Sequence, residues 1–148
     1  GNLLLSFDTA VHLGDDLTVG DEDLVRFEGS GSYTIFFDGS EQNVPEGLDL
    51  DGAAYRAEDD RLFLSFDGNG SLGEVNFSDE DVLQFDRATS TFSISYDGSA
   101  LHAGWVGADL VAVAIAAPEP STPAQLASVI ATLVWLAGRR SRVAGRRG

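Results

Sequence analysis

The residues of this chain best suited to chemistry are its closely spaced carboxylates. Asp21, Glu22 and Asp23 form one group, Asp79, Glu80 and Asp81 form another, and Asp15 and Asp16 precede the first. Calcium takes six to eight oxygen ligands and tolerates irregular loops. The one cofactor hypothesis is therefore calcium, although no stretch satisfies the D-x-[DN]-x-[DN]-G pattern of a calcium loop; its ligands would be Asp15, Asp16, Asp21, Asp23, Asp79 and Asp81. The alternative is a solvated acidic surface that keeps a secreted protein soluble.

Groups suited to covalent or acid–base catalysis are scarce. The only histidines are His12 and His102, neither lies in a Gly-x-Ser-x-Gly elbow, and there is no cysteine. A nucleophile needs an adjacent base, and the many carboxylates single out no pair for glycoside hydrolysis. Phosphate-binding and dinucleotide-binding fingerprints are also missing from the sequence. The sequence predicts that the protein is not an enzyme.

The charge of the chain is divided between an acidic body and a basic tail. All nine basic residues are arginines, and the formal net charge is −15. Before Pro118 there are four arginines against twenty-three acids, a balance of −19; from Pro118 onward there are five arginines against Glu119 alone, a balance of +4. Because nucleic acids require a basic face, the sequence predicts no nucleic-acid partner for this body.

The body contains an internal repeat. "LSFD" occurs at Leu5–Asp8 and at Leu64–Asp67, an offset of 59. "DEDLVRF" from Asp21 matches "DEDVLQF" from Asp79 at offset 58, and "SYTIFFDGS" from Ser32 matches "TFSISYDGS" from Thr91 at offset 59. "DLDGAAY" from Asp49 pairs loosely with "DLVAVAI" from Asp109. Ordered blocks in register predict two tandem copies of one unit of about 59 residues, at 1–58 and 59–117.

Each copy has the pattern of four short strands. The runs "LLLSF", "DLVRF" and "YTIFF" are rich in β-formers and end at Asp or at Asp-Gly-Ser turns, where glycine tolerates positive φ; "AAYRA" and, in the second copy, "LVAVAIA" are the fourth strands. No stretch before Pro118 keeps a 3.6-residue period. The expected fold is all-β, followed by a C-terminal hydrophobic helix. Each unit resembles a propeller blade, and because two blades cannot close a propeller, the units belong either to a longer array of which this is the C-terminal part or to a small sandwich or barrel of two copies.

The tail reads as a membrane segment with charged flanks. Fifteen residues from Ala124 to Gly138 are predominantly apolar, and as a helix they would span about 22 Å against a hydrocarbon core of about 30 Å. The arginines that follow would hold the C-terminus in the cytoplasm, which places the acidic body outside it. The apolar positions are Leu126, Val129, Ile130, Leu133, Val134, Trp135 and Leu136, and the anchoring arginines are Arg139, Arg140, Arg142, Arg146 and Arg147.

This segment, 118–148, resembles the PEP-CTERM sorting signal. Its three parts occur in order at the end of the chain: a motif of Pro118, Glu119, Pro120, Ser121 and Thr122, then the hydrophobic helix, then the arginines, here extended as "GRRSRVAGRRG". The resemblance implies export by a Gram-negative bacterium that makes exopolysaccharide. It also implies an exosortase, an integral membrane protease, as a partner that processes the Pro-Glu-Pro region. The protein would be held transiently at the inner membrane and then reach the cell surface or the extracellular space.

The expected function is therefore that of an exported, non-enzymatic surface or matrix protein with a structural or adhesive acidic β body. One alternative is a carbohydrate-dependent or calcium-dependent binding module in the same matrix, with exopolysaccharide as a partner. Tyr33, Tyr55, Tyr96 and Trp105 could then line a glycan-binding face, although aromatic residues at strand spacing are typical of a core. The other alternative is the C-terminal fragment of a larger secreted enzyme, since a chain without methionine indicates missing N-terminal sequence.

Overall fold

The computed structural model describes residues 3–14 and 16–116, and within them the chain is all-β, as the sequence predicts. The strands of the first half are β1 (Leu3–Leu5), β2 (Val11–Leu13), β3 (Leu17–Val19), β4 (Leu24–Gly29), β5 (Ser32–Phe37) and β6 (Leu50–Arg56). Those of the second half are β7 (Arg61–Phe66), β8 (Gly70–Leu72), β9 (Val75–Phe77), β10 (Val82–Asp86) and β11 (Thr91–Tyr96). One helical turn, α1 (Gly98–Leu101), and a 3-10 turn (Ala103–Trp105) follow. The predicted C-terminal helix lies outside the described residues.

The strands form two sheets and two separate hairpins, and every pairing is antiparallel. One sheet has the order β1-β4-β5 and the other the order β11-β10-β7-β6; β2 pairs with β3, and β8 with β9. Strand β6 belongs to residues 1–58 but pairs with β7 of residues 59–117. The two halves of the body therefore share one sheet.

Short turns join the paired strands. Ser30 and Gly31 connect β4 to β5 with φ values of 54° and 80°. Between β10 and β11 the Asp86 carboxylate accepts hydrogen bonds from the amides of Ala88 and Thr89, and Ser90 has φ 52°. An aspartate that bonds to its own turn and a small residue in the left-handed region are the usual requirements of tight connections.

The core lies where the two sheets face each other. Strand β7 is buried on both faces from Leu62 to Phe66, which explains why its sequence is a continuous apolar run rather than an alternating one. From the other sheet, Phe37 contacts the rings of Phe85 and Phe92, with centroids 5.2 and 6.4 Å away. Large side chains from both halves of the body thus make one core.

Two details of the strand prediction were wrong. The short hairpins β2–β3 and β8–β9 were missed, because strands of three residues are too short to show a period. The run "LVAVAIA" at 110–116 was expected to be a fourth strand, but it has no strand assignment. A strand needs a neighbour to take its amides and carbonyls, and among the described residues none pairs with this segment.

Candidate functional site

Two of the predicted calcium ligands are buried and accept hydrogen bonds from backbone amides. Asp23 is 7% exposed, and its carboxylate oxygens accept hydrogen bonds from the amides of Gly20, at 2.8 Å, and Gly39, at 2.9 Å. Asp81, 6% exposed, accepts from the amides of Ser78 and Gly98, both at 2.9 Å. The Asp23 carboxylate joins the turn before β4 to the Asp-Gly-Ser turn after β5. The Asp81 carboxylate joins the turn before β10 to the Asp-Gly-Ser turn after β11. Both oxygens of both residues are engaged in holding the fold.

The glycine of each Asp-Gly-Ser turn is required by a close approach, not by positive φ. Neither Gly39 nor Gly98 has positive φ. A Cβ atom on Gly39 would collide with the backbone and side chain of Glu22, and one on Gly98 would collide with those of Glu80. The sequence-based explanation of these glycines was therefore wrong, although the turns are where it placed them.

The other predicted calcium ligands do not gather around one point in the described structure. Asp16 is exposed between β2 and β3, and Asp15 lies outside the described residues. The carbonyl groups of Asp21 and Asp79 accept hydrogen bonds from the amides of Leu50 and Leu110. Within residues 3–14 and 16–116, no group of three or more histidine or acidic side chains is arranged to hold a metal ion. Calcium binding stays a hypothesis, which a calorimetric titration of the protein with Ca²⁺ would decide.

Sequence reasoning missed a row of carboxylates at the end of the β6–β7 pair where β6 begins and β7 ends. The amide of Asp49 donates to the Asp67 carboxylate at 2.9 Å, and the amide of Asp67 donates to the Asp49 carbonyl at 3.1 Å. Burial raises the pKa of the Asp49 carboxyl, and the nearby charges of Asp21, Asp67 and Asp8 raise it further. The signal in the sequence was the aspartate that ends both copies of "LSFD".

The most perturbed carboxyl of this row is Asp51. Burial, and after it the neighbouring carboxyls of Asp109, Asp67 and Asp49, together raise its pKa from 3.8 to about 6. Asp109 reaches Asp51 because the segment around Ala112 and Val113 crosses close to Gly52, where a Cβ atom would lie 2.8 Å from the Val113 amide nitrogen. The crossing therefore places the carboxylates of Asp51 and Asp109 close to each other, a contact between like charges at neutral pH.

We expect Asp51→Asn to stabilise the body at pH 7. Because the pKa of Asp51 is higher in the folded state, the folded state binds more protons between about pH 4 and pH 6. Stability is thus lost as pH rises through that window, and the loss persists above it. Removing the charge should raise the free energy of unfolding at pH 7 by about 1–2 kcal/mol, allowing for solvent screening, and should flatten the pH dependence. Urea unfolding followed by far-UV circular dichroism at pH 4, 5, 6 and 7 measures both effects.

Asp59→Asn is the matched control for this prediction. The guanidinium of Arg56, whose Nε lies 2.6 Å from an Asp59 oxygen, lowers the pKa of the Asp59 carboxyl. Its ionised form is favoured in the folded state, so its neutralisation should lower stability at pH 7 rather than raise it. Equal stability of Asp51→Asn and wild type at pH 7 would show that the Asp51–Asp109 contact costs nothing.

Three of the four arginines of the body, Arg26, Arg56 and Arg87, lie over aromatic rings. The Phe36 ring lies between two guanidinium groups, with Arg26 Cζ 4.0 Å and Arg87 Cζ 4.3 Å from its centroid. Arg87 also donates to the Asp60 carboxylate at 2.8 Å, which in turn accepts from the Tyr55 hydroxyl at 2.9 Å. Half-buried cation–π contacts of this kind stabilise a fold.

The histidines and the remaining aromatic residues lie in separate places. The exposed His12 bonds through Nδ1 with the Thr18 hydroxyl at 3.0 Å. His102 stacks on Trp105 with centroids 4.5 Å apart, and Tyr96 lies 6.1 Å from Trp105. The aromatic residues proposed for a glycan-binding face do not share one surface: Tyr33 packs on Phe27, Tyr55 on Phe36, and only Tyr96 and Trp105 are neighbours.

The sorting motif, the predicted membrane helix and the anchoring arginines at 118–148 lie outside the described residues. In the part of the chain that the structure describes, no helix is both long enough and apolar enough to traverse a bilayer. Comparisons with protein-family models, with curated proteins and with solved structures find no match to this chain.

Proposed function

We propose that this chain is an exported, non-enzymatic surface or extracellular-matrix protein with a structural or adhesive body. The body would be two tandem copies of one β unit, 1–58 and 59–117, packed together as a small sandwich. The observation that carries the proposal is that two recurring aspartates, Asp23 and Asp81, use their carboxylates to accept hydrogen bonds from backbone amides of the fold. Where a catalytic site would need groups free to act on a substrate, the buried recurring aspartates Asp23 and Asp81 are engaged by backbone amides.

The strand registers support the tandem repeat. Leu3 is opposite Phe27 and Leu5 opposite Val25 in β1–β4; Leu62 is opposite Phe85 and Leu64 opposite Leu83 in β7–β10. These pairs are related by offsets of 59 in one strand and 58 in the other, which are the offsets of the sequence blocks. The bulge between Leu24 and Val25 also has its counterpart between Val82 and Leu83.

The hydrogen bonds of the recurring aspartates support a structural role. The bonds from Gly20 and Gly39 to Asp23 correspond, by the same offsets, to those from Ser78 and Gly98 to Asp81. A pair of buried carboxylates used identically is what a fold requirement predicts, because buried polar groups are costly unless paired. The contact of Phe37 with Phe85 and Phe92 across the two sheets favours the sandwich over separate blades.

The composition supports export to a surface. A body with a balance of −19 and no cysteine stays soluble and repels other acidic chains, and it needs no disulfide to fold. The resemblance of 118–148 to the PEP-CTERM signal supplies the proposed route: transient anchoring in the inner membrane, then processing near Pro118–Pro120 by an exosortase. An acidic matrix protein of this kind would lie among exopolysaccharide.

We expect the mature protein to end near Pro118–Thr122. Processing at the Pro-Glu-Pro motif removes the apolar helix and the arginines, so the body is released or transferred to the outer surface. Mass spectrometry of the C-terminal peptide, from protein recovered at the cell surface and in the medium of the producing bacterium, checks this. A terminus at Gly148 in the membrane fraction would mean a permanent anchor and would refute the processing step.

A further inference from the structure

Residues 69–78, which contain the hairpin β8–β9, carry two asparagines in the sequence setting of a glycan acceptor. Asn69-Gly70-Ser71 and Asn76-Phe77-Ser78 both satisfy the pattern N-x-[ST], in which x is any residue except proline. We propose that Asn69 and Asn76 are N-glycosylation sites, which receive an oligosaccharide from a polyprenyl pyrophosphate carrier. This inference rests on the export proposed above, because the pattern marks an acceptor in secreted chains.

The two motifs are concentrated in one short stretch of the chain. There are four asparagines in the sequence, and the other two, Asn2 and Asn43, have no serine or threonine two positions later. Each acceptor asparagine is also preceded, two residues earlier, by an acid, Asp67 or Glu74. A carboxylate at this fixed spacing offers a transferase a charged anchor beside the reacting side chain. Both copies of this extended pattern fall within residues 67–78.

Both acceptor side chains are accessible in the folded protein. Asn69 is exposed and lies between β7 and β8, and Asn76 is exposed in the middle of β9. Their strand neighbours Leu72 and Phe77 are only 2% and 5% exposed, so the alternation of a β-strand turns Ser71 and Asn76 to solvent. A transferase therefore reaches both carboxamides on the surface of the body.

The hydrogen bonds of the two carboxamides leave the glycan-bearing atom available. The Asp79 amide donates to Asn69 Oδ1 at 3.0 Å, and the Ser71 hydroxyl donates to Asn76 Oδ1 at 2.7 Å. Both bonds are made to the carbonyl oxygen, and a bond to that oxygen does not occupy the amide nitrogen. Nδ2, to which an N-linked glycan is attached, is therefore not taken up by these contacts.

The first half of the body shows that this hairpin does not need asparagine at position 76. In the matching hairpin β2–β3, Thr18 stands opposite His12, where β9 has Asn76 opposite Ser71. Both pairs are joined by a side-chain hydrogen bond, at 3.0 Å and 2.7 Å. A polar pair of different chemistry thus serves the same position, and the demands of the hairpin do not explain the motif Asn-Phe-Ser.

The same comparison applies to the other motif residues. The counterpart of Asn69 at offset 59 is Ala10, whose side chain cannot accept the hydrogen bond that Asn69 takes from a backbone amide. Ser78 corresponds at offset 58 to Gly20, and it contributes its backbone amide to the buried Asp81 carboxylate. Since both halves form the hairpin, these side chains are additions to the shared fold, which a glycan acceptor explains.

The reaction is a displacement at the first sugar of the glycan. Nδ2 of the carboxamide forms a bond to the anomeric carbon, and the bond from that carbon to the pyrophosphate oxygen breaks. Polyprenyl pyrophosphate leaves with the electron pair, and the proton lost from Nδ2 passes to a carboxylate of the transferase. In an extended chain, side chains two residues apart lie on one side, so a transferase meets the asparagine and the serine together.

A covalent glycan would link the body to a polysaccharide matrix in spite of its charge. A body with a balance of −19 repels an acidic polysaccharide, which opposes adhesion through surface contacts alone. A glycosidic bond to Asn69 or Asn76 needs no complementary charge. Glycosylation therefore names the kind of attachment by which the proposed matrix protein is held.

Glycan transfer in a defined host tests the sites. The full chain is expressed behind a cleavable export signal in a bacterial strain that carries an oligosaccharyltransferase and an oligosaccharide on polyprenyl pyrophosphate, with an acetamido sugar first. We expect the intact mass to rise by two glycans, and peptide fragmentation to place them on Asn69 and Asn76. Asn69→Gln and Asn76→Gln should each remove the glycan of their own site, and the double variant should carry none.

Variants of Ser78 separate acceptor recognition from an effect on the fold. Ser78→Ala keeps the backbone amide that bonds to Asp81, so the circular dichroism spectrum should not change. Because the motif loses its hydroxyl, we expect the glycan at Asn76 to be lost while that at Asn69 stays. Ser78→Thr restores a hydroxyl and should restore the glycan, a rescue that a purely structural role of Ser78 does not predict.

Three results would overturn the inference. They are an unchanged mass in a strain that modifies a control acceptor protein, a glycan that persists in the double variant, and a glycan released by mild alkali, which indicates attachment through serine. The export signal is supplied in this assay, so none of them touches the proposed export. In the producing bacterium, a surface chain that ends near Pro118–Thr122 with both asparagines unmodified would overturn the glycosylation and leave the export standing.

Discussion

Replacing Asp81 by alanine should cost about 3–5 kcal/mol of the free energy of unfolding. The substitution leaves the part-buried amide of Ser78 and the buried amide of Gly98 without their acceptor, and hydrogen bonds to a charged group are each worth about 1.5–3 kcal/mol. A domain of this size has about 5–15 kcal/mol in total, so most of its margin would be lost. Asp23→Ala should behave alike, since its carboxylate makes the corresponding bonds. Urea unfolding followed by far-UV circular dichroism measures both.

The control for this prediction is Asp97→Ala, one residue before Gly98. Asp97 is exposed, and its carboxylate accepts a hydrogen bond from the Ala100 amide at the start of α1. The loss of such a cap costs about 1 kcal/mol. If Asp81→Ala and Asp97→Ala lowered the free energy of unfolding equally, the buried aspartates would not be the main residues that hold the turns together. Asp81→Asn should fall between the two, because its amide keeps only one acceptor oxygen.

Phe37→Ala should destabilise the body by a similar amount, about 3–5 kcal/mol, for a different reason. The ring is 3% exposed and stands between the two sheets against Phe85 and Phe92, so its removal leaves a cavity at the contact of the two halves. The repeat offers the control. Tyr96 is the residue 59 positions later, and it is only half-buried. Tyr96→Ala should cost less than about 1.5 kcal/mol, since little apolar area leaves the core.

The denaturant slope adds a second readout for this pair. If Phe37 couples the two halves, its loss should separate their unfolding transitions or lower the m-value, which reports the surface exposed in one cooperative step. A variant with unchanged m-value and a loss below that of Tyr96→Ala would contradict a shared core. It would favour two independent units instead.

The fold class followed from the sequence because its strands are long runs of β-formers ended by Asp and Gly. Runs such as "LFLSF" and "YTIFF" became β7 and β5. The hairpin β8–β9 could not be predicted, since three residues per strand give no usable period. The last run, "LVAVAIA", has the composition of a strand, but no strand among residues 3–14 and 16–116 pairs with it, which a sequence pattern cannot reveal.

The candidate site was harder to predict because its contacts are distant in sequence. The recurrence of the "DED" block marked Asp23 and Asp81, but their bonds to Gly39 and Gly98 span 16 and 17 residues. The density of acidic residues alone suggested calcium. Only the burial and the hydrogen-bond partners of each carboxylate reveal which acids accept from backbone amides. The arginines around Phe36 were not predicted either, since a ring between two cations has no signature in a single sequence.

The scarcity of cations in the body has a consequence for proteolysis. With no lysine, an enzyme of trypsin specificity has only Arg26, Arg56, Arg61 and Arg87 to cleave after within residues 1–117. The first three lie in β4, β6 and β7, and Arg87 is tied to Asp60 next to β10. Cleavage requires extended, accessible backbone, so the bonds after Arg26 and Arg61 are open only when the sheets come apart, whereas those after Arg56 and Arg87 lie at exposed turns. Tryptic cleavage after Arg26 or Arg61 would therefore report opening of the β structure.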